Sequence, residues 1–325
     1  MSATDFTQLE EHRSALTGHC YRMLGSVIAA EDAVQESLLR AWKGLNGFNR
    51  QSSLKTWLYR IATNVCLDTL ATGKRRLCPI DLSAPATVSP DLVLTQRERE
   101  YWVEPIPDGL ALPCSSDPQE EAVLRESIRL AFVAALQYLS PRERAALLLT
   151  QVLDFSAEEA AETLETSVAA VNSALQRARA TLEARNPVTT PRALSAEHDA
   201  LLARFVNAFE RYDIPALCEL LRDDVKFSMP PYELWIQGPS SVSQWLLGFG
   251  AKCRGGRLIP VAACGGTPAF AQYHDLGAKP FAIVLLELRG QQISSLTFFL
   301  DTQTLFPRFG LPMQWSQTPT PASQR

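Results

Sequence analysis

Trp57, Arg60 and Asn64 recur at spacings of three and four along the stretch Leu54 to Asp68, so in a helix they share one face. A flat aromatic ring, a guanidinium and a carboxamide in one row can act together on an unstacked nucleic-acid strand. The ring stacks on a base, the guanidinium meets a phosphate, and the amide hydrogen-bonds to a base edge. Lys55 and Tyr59 lie on the flanks of the same row, and Lys74, Arg75 and Arg76 follow it as a basic cluster able to neutralise phosphates. Upstream, Asp32, Gln35 and Glu36 lie one turn apart on a polar face. Carboxylates flanking an amide suit a basic partner surface, although the same spacing alone also describes an ordinary solvated face.

Both rows need helices to display them. Val34, Leu38, Trp42 and Leu45 fall on one apolar stripe, and Leu54, Leu58, Ile61 and Val65 on another, separated by a break from Gly44 to Ser53. Residues 5–26 predict a preceding helix, with Leu9, Leu16, Tyr21, Met23 and Leu24 inward and a stop at Gly25-Ser26. From Leu77 to Pro118 the chain carries seven prolines and reads as a linker, with Tyr101 and Trp102 oddly aromatic for one. Helical periodicity returns at Glu120 and runs to Leu139. Ser140-Pro141-Arg142-Glu143 and Ser156-Ala157-Glu158-Glu159 each announce a helix start. A short helix, the turn Glu165-Thr166-Ser167 and a longer helix from Val168 to about Ala184 make a helix-turn-helix pattern. After a second linker, residues 187–194, helices and strand-like runs alternate up to residue 312, and residues 313–325 form a polar tail expected to be disordered.

Composition narrows the class. Apolar content of 46% and charged content of 20% are those of a folded globular chain, here large enough for two or three cores. No apolar run reaches the roughly 20 residues of a membrane span, and the polar, acidic N-terminus is not a secretory signal. Seven scattered cysteines without a CxxC pair point to free thiols in a reducing cytoplasm and to no structural metal. The net charge of −4 is unevenly spread. Residues 1–76 hold 10 Lys/Arg against 7 Asp/Glu, whereas residues 77–118 hold 2 against 7. Any grip on nucleic acid is therefore a local basic patch.

Residues 13–76 and 120–184 resemble regions 2 and 4 of a sigma-70-type RNA polymerase sigma factor of the extracytoplasmic-function group. The resemblance rests on AEDAVQESLLRAW and SLKTWLYRIATNVCLD, then on LSPRERAALLL and FSAEEAAETLETSVAAVNSALQRARATL. It implies an architecture of two all-α domains and a C-terminal α+β domain. Region 2 would be a helical bundle over 5–76, and region 4 a helix-turn-helix over 119–186 joined to it by the acidic linker 77–118. Asp32, Gln35 and Glu36 would dock on the coiled coil of the polymerase β′ subunit. Lys55, Trp57, Arg60, Asn64, Lys74, Arg75 and Arg76 would hold the melted −10 element of promoter DNA, with Phe48 to Ser53 forming a pocket for a flipped-out base. Ser167, Ala170, Val171, Ser173, Ala174 and Arg177 would face the −35 element, with Arg179 and Arg185 on phosphates. The linker, its acidity mimicking RNA, would thread toward the polymerase active-site and RNA-exit channels.

Residues 195–312 are similar to the cone-shaped fold of nuclear-transport-factor-2-like (SnoaL-like) proteins, on element order and on FVNAFERYDIPALCELLRDDVKFSMPP. This implies a domain that regulates the sigma regions, through a small ligand or an intramolecular contact. The alternative is an isomerase- or cyclase-like enzyme using Asp213, Asp224, Glu233, His274, Asp275 or Asp301, with the helical half accessory. No converging acid/base pair is visible among these residues, so the expectation is a cytoplasmic, non-enzymatic transcription factor without cofactor or metal.

Overall fold

The computed structural model describes residues 3–48, 52–113, 117–185 and 194–315. Asn49, Arg50 and Gln51 of the expected base pocket, Cys114, linker residues 187–193, the Arg185 side chain and the tail from 316 lie outside the described residues. The chain forms two units. Met1–Leu82, Arg97–Arg192 and Ala262–Thr267 make a helical unit; Ser83–Gln96, Ala193–Val261 and Pro268–Arg325 make an α+β unit.

In the helical unit, α1 (Ala3–Glu10), α2 (Arg13–Leu24), α3 (Val27–Gly44) and α4 (Leu54–Thr72) form the bundle expected as region 2. The helix expected over 5–26 is two, parted at Glu11-His12, yet Leu9, Leu16, Tyr21, Met23 and Leu24 are all buried as read. Gly25 ends α2 in the left-handed conformation (φ 70°), its N–H bonded to Tyr21 O, and Ser26 then caps α3. Val34, Leu38, Leu58 and Val65 are core, but Trp42, expected to be buried, is 40% exposed near the end of α3. The stretch expected to be region 4 comprises α6 (Pro118–Ser127), α7 (Leu130–Leu136), α8 (Pro141–Gln151), α9 (Ala157–Thr163) and α10 (Val168–Arg185), with α5 (Asp108–Ala111) a single turn before it. The expected capping box Ser156/Glu159 is formed, and the expected N-cap Ser140 also makes one with Glu143. The helix expected from 120 to 139 is broken between α6 and α7. There Ser127 Oγ donates to Leu124 O at 2.7 Å, and Arg129 takes an extended conformation.

The stretch read as a bare linker is structured. Trp102, Val103 and Ile106 are buried in the helical unit, and their backbone is tied at Glu104, whose N–H reaches Gly25 O at 3.0 Å and whose carbonyl accepts from Tyr21 OH at 2.7 Å. Prolines favour extended chain here, and extended chain with apolar side chains can fill a groove between helices. The loop Ala262–Thr267 completes this packing. Gly265 and Gly266, both at positive φ, aim their N–H groups at the Asp108 carboxylate at 2.7 and 3.1 Å. Burial raises the Asp108 pKa, and these two bonds together with nearby Arg125 partly offset that.

The α+β unit consists of α11 (Ala196–Glu210), α12 (Ile214–Cys218), β1 (Leu221–Ser228), β2 (Trp235–Gln237), α13 (Pro239–Leu247), β3 (Arg257–Pro260), β4 (Ala269–His274), β5 (Lys279–Arg289), β6 (Gln292–Phe299) and α14 (Thr302–Arg308). Its mixed sheet runs β2-β1-β6-β5-β4-β3, with β1 and β6 parallel and the remaining neighbours antiparallel. Phe205 and Phe209 from α11 and Trp245 from α13 pack with Phe227, Phe270 and Phe298 of the sheet. Linker residues also belong to this unit. Ala86 N–H donates to Trp235 O at 2.8 Å, Trp235 Nε1 to Ser83 O at 2.9 Å, and Glu233 N–H to Thr95 O at 2.9 Å. Ala86, Val88, Leu92 and Leu94 pack against the core.

Two outcomes test this packing. A Cβ on Gly18 would stand 2.3 Å from Ala111 O, so Gly18→Ala should force α2 from α5 and lower unfolding stability by about 1–3 kcal/mol in urea titration. Wild-type stability in that variant would contradict the close approach. His19 is buried, and since Thr63 gives its hydroxyl hydrogen to Tyr59 O, His19 Nε2 is the donor to Thr63 Oγ1 at 2.9 Å. Desolvation, aided by Arg22, holds His19 down to about 3. The unfolded chain thus binds a proton that the folded one refuses between that value and 6.5. Stability is full above the unfolded pKa and falls as pH drops, by about 2 kcal/mol at pH 5. His19→Gln should remove that part of the slope, and an unchanged slope would exclude His19 as its source.

Candidate nucleic-acid interface

α4 carries the row identified by spacing, and each member is half-buried. Ser53 caps the helix, accepting from Thr56 N–H at 3.0 Å. Trp57 stacks on Phe48, ring centroids 4.8 Å apart at 28°, with Gly44 against its ring. One side of Trp57 is therefore held by the α3–α4 connection, which fixes the ring as part of a two-ring platform. Arg60 Nη1 reaches Glu162 of α9 at 2.8 Å, and Lys55 Nζ reaches Glu120 of α6 at 3.4 Å. Asn64 lies one turn beyond Arg60. Tyr59 is not on the flank of this row; it is buried, meeting His19 and Phe155 edge-on, and burial raises its hydroxyl to about 12.

The basic cluster after α4 is engaged with the chain itself. Lys74 pairs with Glu98 at 3.1 Å and lies over the Tyr101 ring, and Arg75 lies over Tyr138. Arg76 donates to the carbonyls of Arg99 and Trp102 at 3.3 and 2.9 Å. Its burial lowers its pKa, and these bonds make Arg76 an anchor of the linker in this conformation.

On α3, Asp32 and Gln35 are exposed, and Glu36 accepts from Arg40 at 2.6 Å; Arg40 also reaches Asp68 at 3.3 Å. The hydrogen bond from Glu36 raises the Arg40 pKa. Leu39, one turn past Gln35 and Glu36 and 43% exposed, shares this face with Trp42 close by. Sequence reasoning missed Leu39; the available signal was a leucine seven residues after Asp32, on the polar side of the helix.

In the helix-turn-helix, Ser167 Oγ accepts from Ala170 N–H at 3.2 Å at the start of α10. Ser167, Ala170, Ser173, Arg177 and Arg179 are exposed. Val171 and Ala174 are not available to a ligand: they are buried and hold α10 in the core. The period explains this, because 171 and 174 lie on the same stripe as Leu175 and Ala178, both buried. Arg177 pairs with Glu143 at 2.6 Å, and Arg179 reaches Gln151 at 3.3 Å. Burial pushes the Glu143 carboxyl up, but the bonds from Arg177 and the Ser140 cap outweigh it and leave it below its usual value.

The acid/base candidates of the α+β unit have structural partners. Asp213 caps α12 and Asp301 caps α14, Asp224 pairs with Arg222 and Asp275 with Lys279, and His274 stacks on Phe281. Glu233 contributes its backbone to the pairing with Thr95. Among the described residues no group of three or more His, Cys, Asp or Glu side chains is placed to hold a metal ion, and no helix is long and apolar enough to cross a membrane.

Comparison with known proteins bears on the family and the fold. Residues 9–76 match the family described as Sigma-70 region 2, and residues 129–182 match Sigma-70, region 4. The chain is 46% identical over 311 residues to the ECF RNA polymerase sigma factor SigG of Mycobacterium tuberculosis, covering 93% of this chain and 82% of that protein. It is 27% identical over 256 residues to the sigma factor SigJ of the same organism, covering 77% of this chain and 73% of that one. The crystal structure of SigJ superposes with a TM-score of 0.57 at 22% identity, covering 96% of this chain and 100% of that chain, so the fold is shared throughout.

The buried and exposed faces of α10 can be separated by melting. Val171→Ala should cost about 1–3 kcal/mol, whereas Ala170→Ser and Ser173→Ala should leave the thermal midpoint unchanged. Equal effects at the three positions would contradict the orientation of the helix.

Proposed function

The chain belongs to the extracytoplasmic-function group of RNA polymerase sigma factors, and from that premise we propose how its surfaces divide the work. Asp32, Gln35 and Glu36, with Leu39 and Trp42 beside them, dock on the β′ coiled coil of core polymerase. Lys55, Trp57, Arg60 and Asn64 hold the melted −10 strand, joined by Lys74 and Arg75. Ser167, Ala170, Ser173 and Arg177 approach the −35 element in the major groove, and Arg179 meets its phosphates. The work is done in the cytoplasm, where core polymerase and promoter DNA meet. The observation that carries this reading is the Phe48–Trp57 platform at the head of the row that continues through Arg60 and Asn64. Two stacked rings present one aromatic face, and a base leaving the duplex gains about 1–3 kcal/mol by stacking there.

The C-terminal domain regulates this activity through the linker. In support, Ser83–Gln96 completes the α+β unit through Trp235 and Glu233, and Ala262–Thr267 completes the helical unit through Asp108. A ligand or contact that shifts the α+β unit therefore bears directly on the segment between regions 2 and 4.

Transcription by core polymerase on fragments of the genome that encodes this protein tests the reading. Full-length protein should yield discrete start sites, and Trp57→Ala with Arg60→Ala should reduce them at least about thirtyfold, the loss expected for two strand contacts of about 1 kcal/mol or more each. Undiminished initiation by the double variant would overturn the role given to α4.

A further inference from the structure

Arg177 is the charged member of the outward row Ser167, Ala170, Ser173 and Arg177, and its guanidinium is not left to wander. Its Nε donates to Glu143 Oε1 at 2.6 Å, although 62% of the arginine side chain is exposed. Glu143 is itself fixed. It is the third residue of α8 and only 17% exposed, and its other oxygen accepts from Ser140 N–H at 3.1 Å, closing the capping box that starts the helix. One carboxylate thus spends one oxygen on the start of α8 and the other on the arginine of α10.

An ion pair this exposed adds little to stability, and its effect is geometric. A guanidinium carries five N–H donors in one rigid plane, and Glu143 takes the donor on Nε, next to the aliphatic stem. Nη1 and Nη2 lie beyond it, the fork that meets a guanine edge or two phosphate oxygens in a bidentate pair. Arg179, two residues on, is held the other way: its Nη2 donates to Gln151 Oε1 at 3.3 Å, at the far end of α8, so there the contact engages the fork itself. By charge alone Glu143 opposes DNA, because a carboxylate near phosphates repels them and its removal tightens binding. Orientation of Arg177 works with the opposite sign. The carboxylate is turned onto Nε and the Ser140 N–H, which favours orientation.

We propose that Glu143 is a positioning residue for promoter recognition, clamped by the start of α8 and fixing the Arg177 guanidinium at Nε so that its two terminal nitrogens meet the −35 element as a preset fork. This rests on the assignment of Arg177 to the −35 element and adds what orients it. An unrestrained arginine on a helix surface loses rotamer freedom when it binds; here that freedom is lost on folding. The serine and glutamate whose spacing announces the helix start therefore also set the angle of a DNA contact on another helix.

The test uses holoenzyme made from core polymerase and full-length protein, on a duplex carrying one of the start sites that the wild-type protein yields. The DNA concentration giving half-maximal initiation is recorded. Glu143→Ala should raise it about fivefold, the change for one long side chain left unordered. Glu158→Ala, which removes an exposed carboxylate from α9, should leave it unchanged or lower it. Ser140→Ala, which removes the cap hydroxyl from Glu143 N–H but keeps the Arg177 contact, should lower the thermal midpoint without raising the DNA requirement. On an Arg177→Ala background, itself impaired, Glu143→Ala should add no further loss. Positioning is overturned if Glu143→Ala leaves the requirement unchanged or lowers it, if Ser140→Ala raises it equally, or if the loss persists without Arg177. An impaired Arg177→Ala beside an unimpaired Glu143→Ala retires the positioning role alone. An unimpaired Arg177→Ala, or wild-type protein that yields no start site, retires the assignment on which it rests.

Discussion

The helical unit depends on the hydrogen bonds of Arg22 and Arg144 across the junction of α2 with region 4. Arg22 is 1% exposed and Arg144 3%, and desolvation lowers both to about 10, still charged at neutral pH. A buried cation demands oxygen, and here the oxygen comes from places where helices are interrupted. The α6–α7 break releases Leu124 O and orients Ser127 toward Arg22; the C-terminal turn of α2 releases Met23 O toward Arg144. Breaks that look like flaws in long helices are thus the acceptors that let two modules share one core.

A second constraint is the linker, whose halves have different homes. Residues 97–112 lie in the helical unit, tied at Glu104 and Asp108, while Ser83–Gln96 extends the α+β unit at Trp235 and Glu233. Glu104 is nearly buried, accepting from Ser26 Oγ at 2.5 Å and pairing with Arg99 at 3.3 Å. Its carboxylate therefore joins the linker to the cap that begins α3, the helix bearing the face proposed to dock on polymerase. A segment rich in proline and acid is usually read as a tether. Here the prolines spare it from helix, and its two most buried acids are engaged, Glu104 by Ser26 Oγ and Arg99, and Asp108 by the Gly265 and Gly266 N–H groups and Arg125.

Much of this was legible in the residues. Helix starts at Ser140 and Ser156 follow from local chemistry that acts within four residues, and the buried stripes of α2 and α4 follow from period. The row Trp57, Arg60 and Asn64 was found the same way, and so was the order of elements in the α+β unit. What escaped were features set by distant partners. The break at Ser127 answers Arg22, about a hundred residues earlier, and the order of residues 101–108 depends on a loop at 262–267. Burial of Val171 follows from the 3.6-residue period it shares with Leu175 and Ala178, which its place at the start of the second helix does not override. The side of Trp57 that faces outward was settled by Phe48, across a glycine-bearing turn whose conformation spacing does not encode.

The central claim is that the outward face of α4 grips a melted strand, and only in the company of core polymerase. A photoreactive amino acid at position 57, crosslinked in the full-length protein, tests it directly. With core polymerase and promoter DNA, crosslinks should map to one strand within the melted segment, and they should be absent without core. Crosslinks to intact duplex in the absence of core, or an open complex in which position 57 reaches no DNA, would contradict the account.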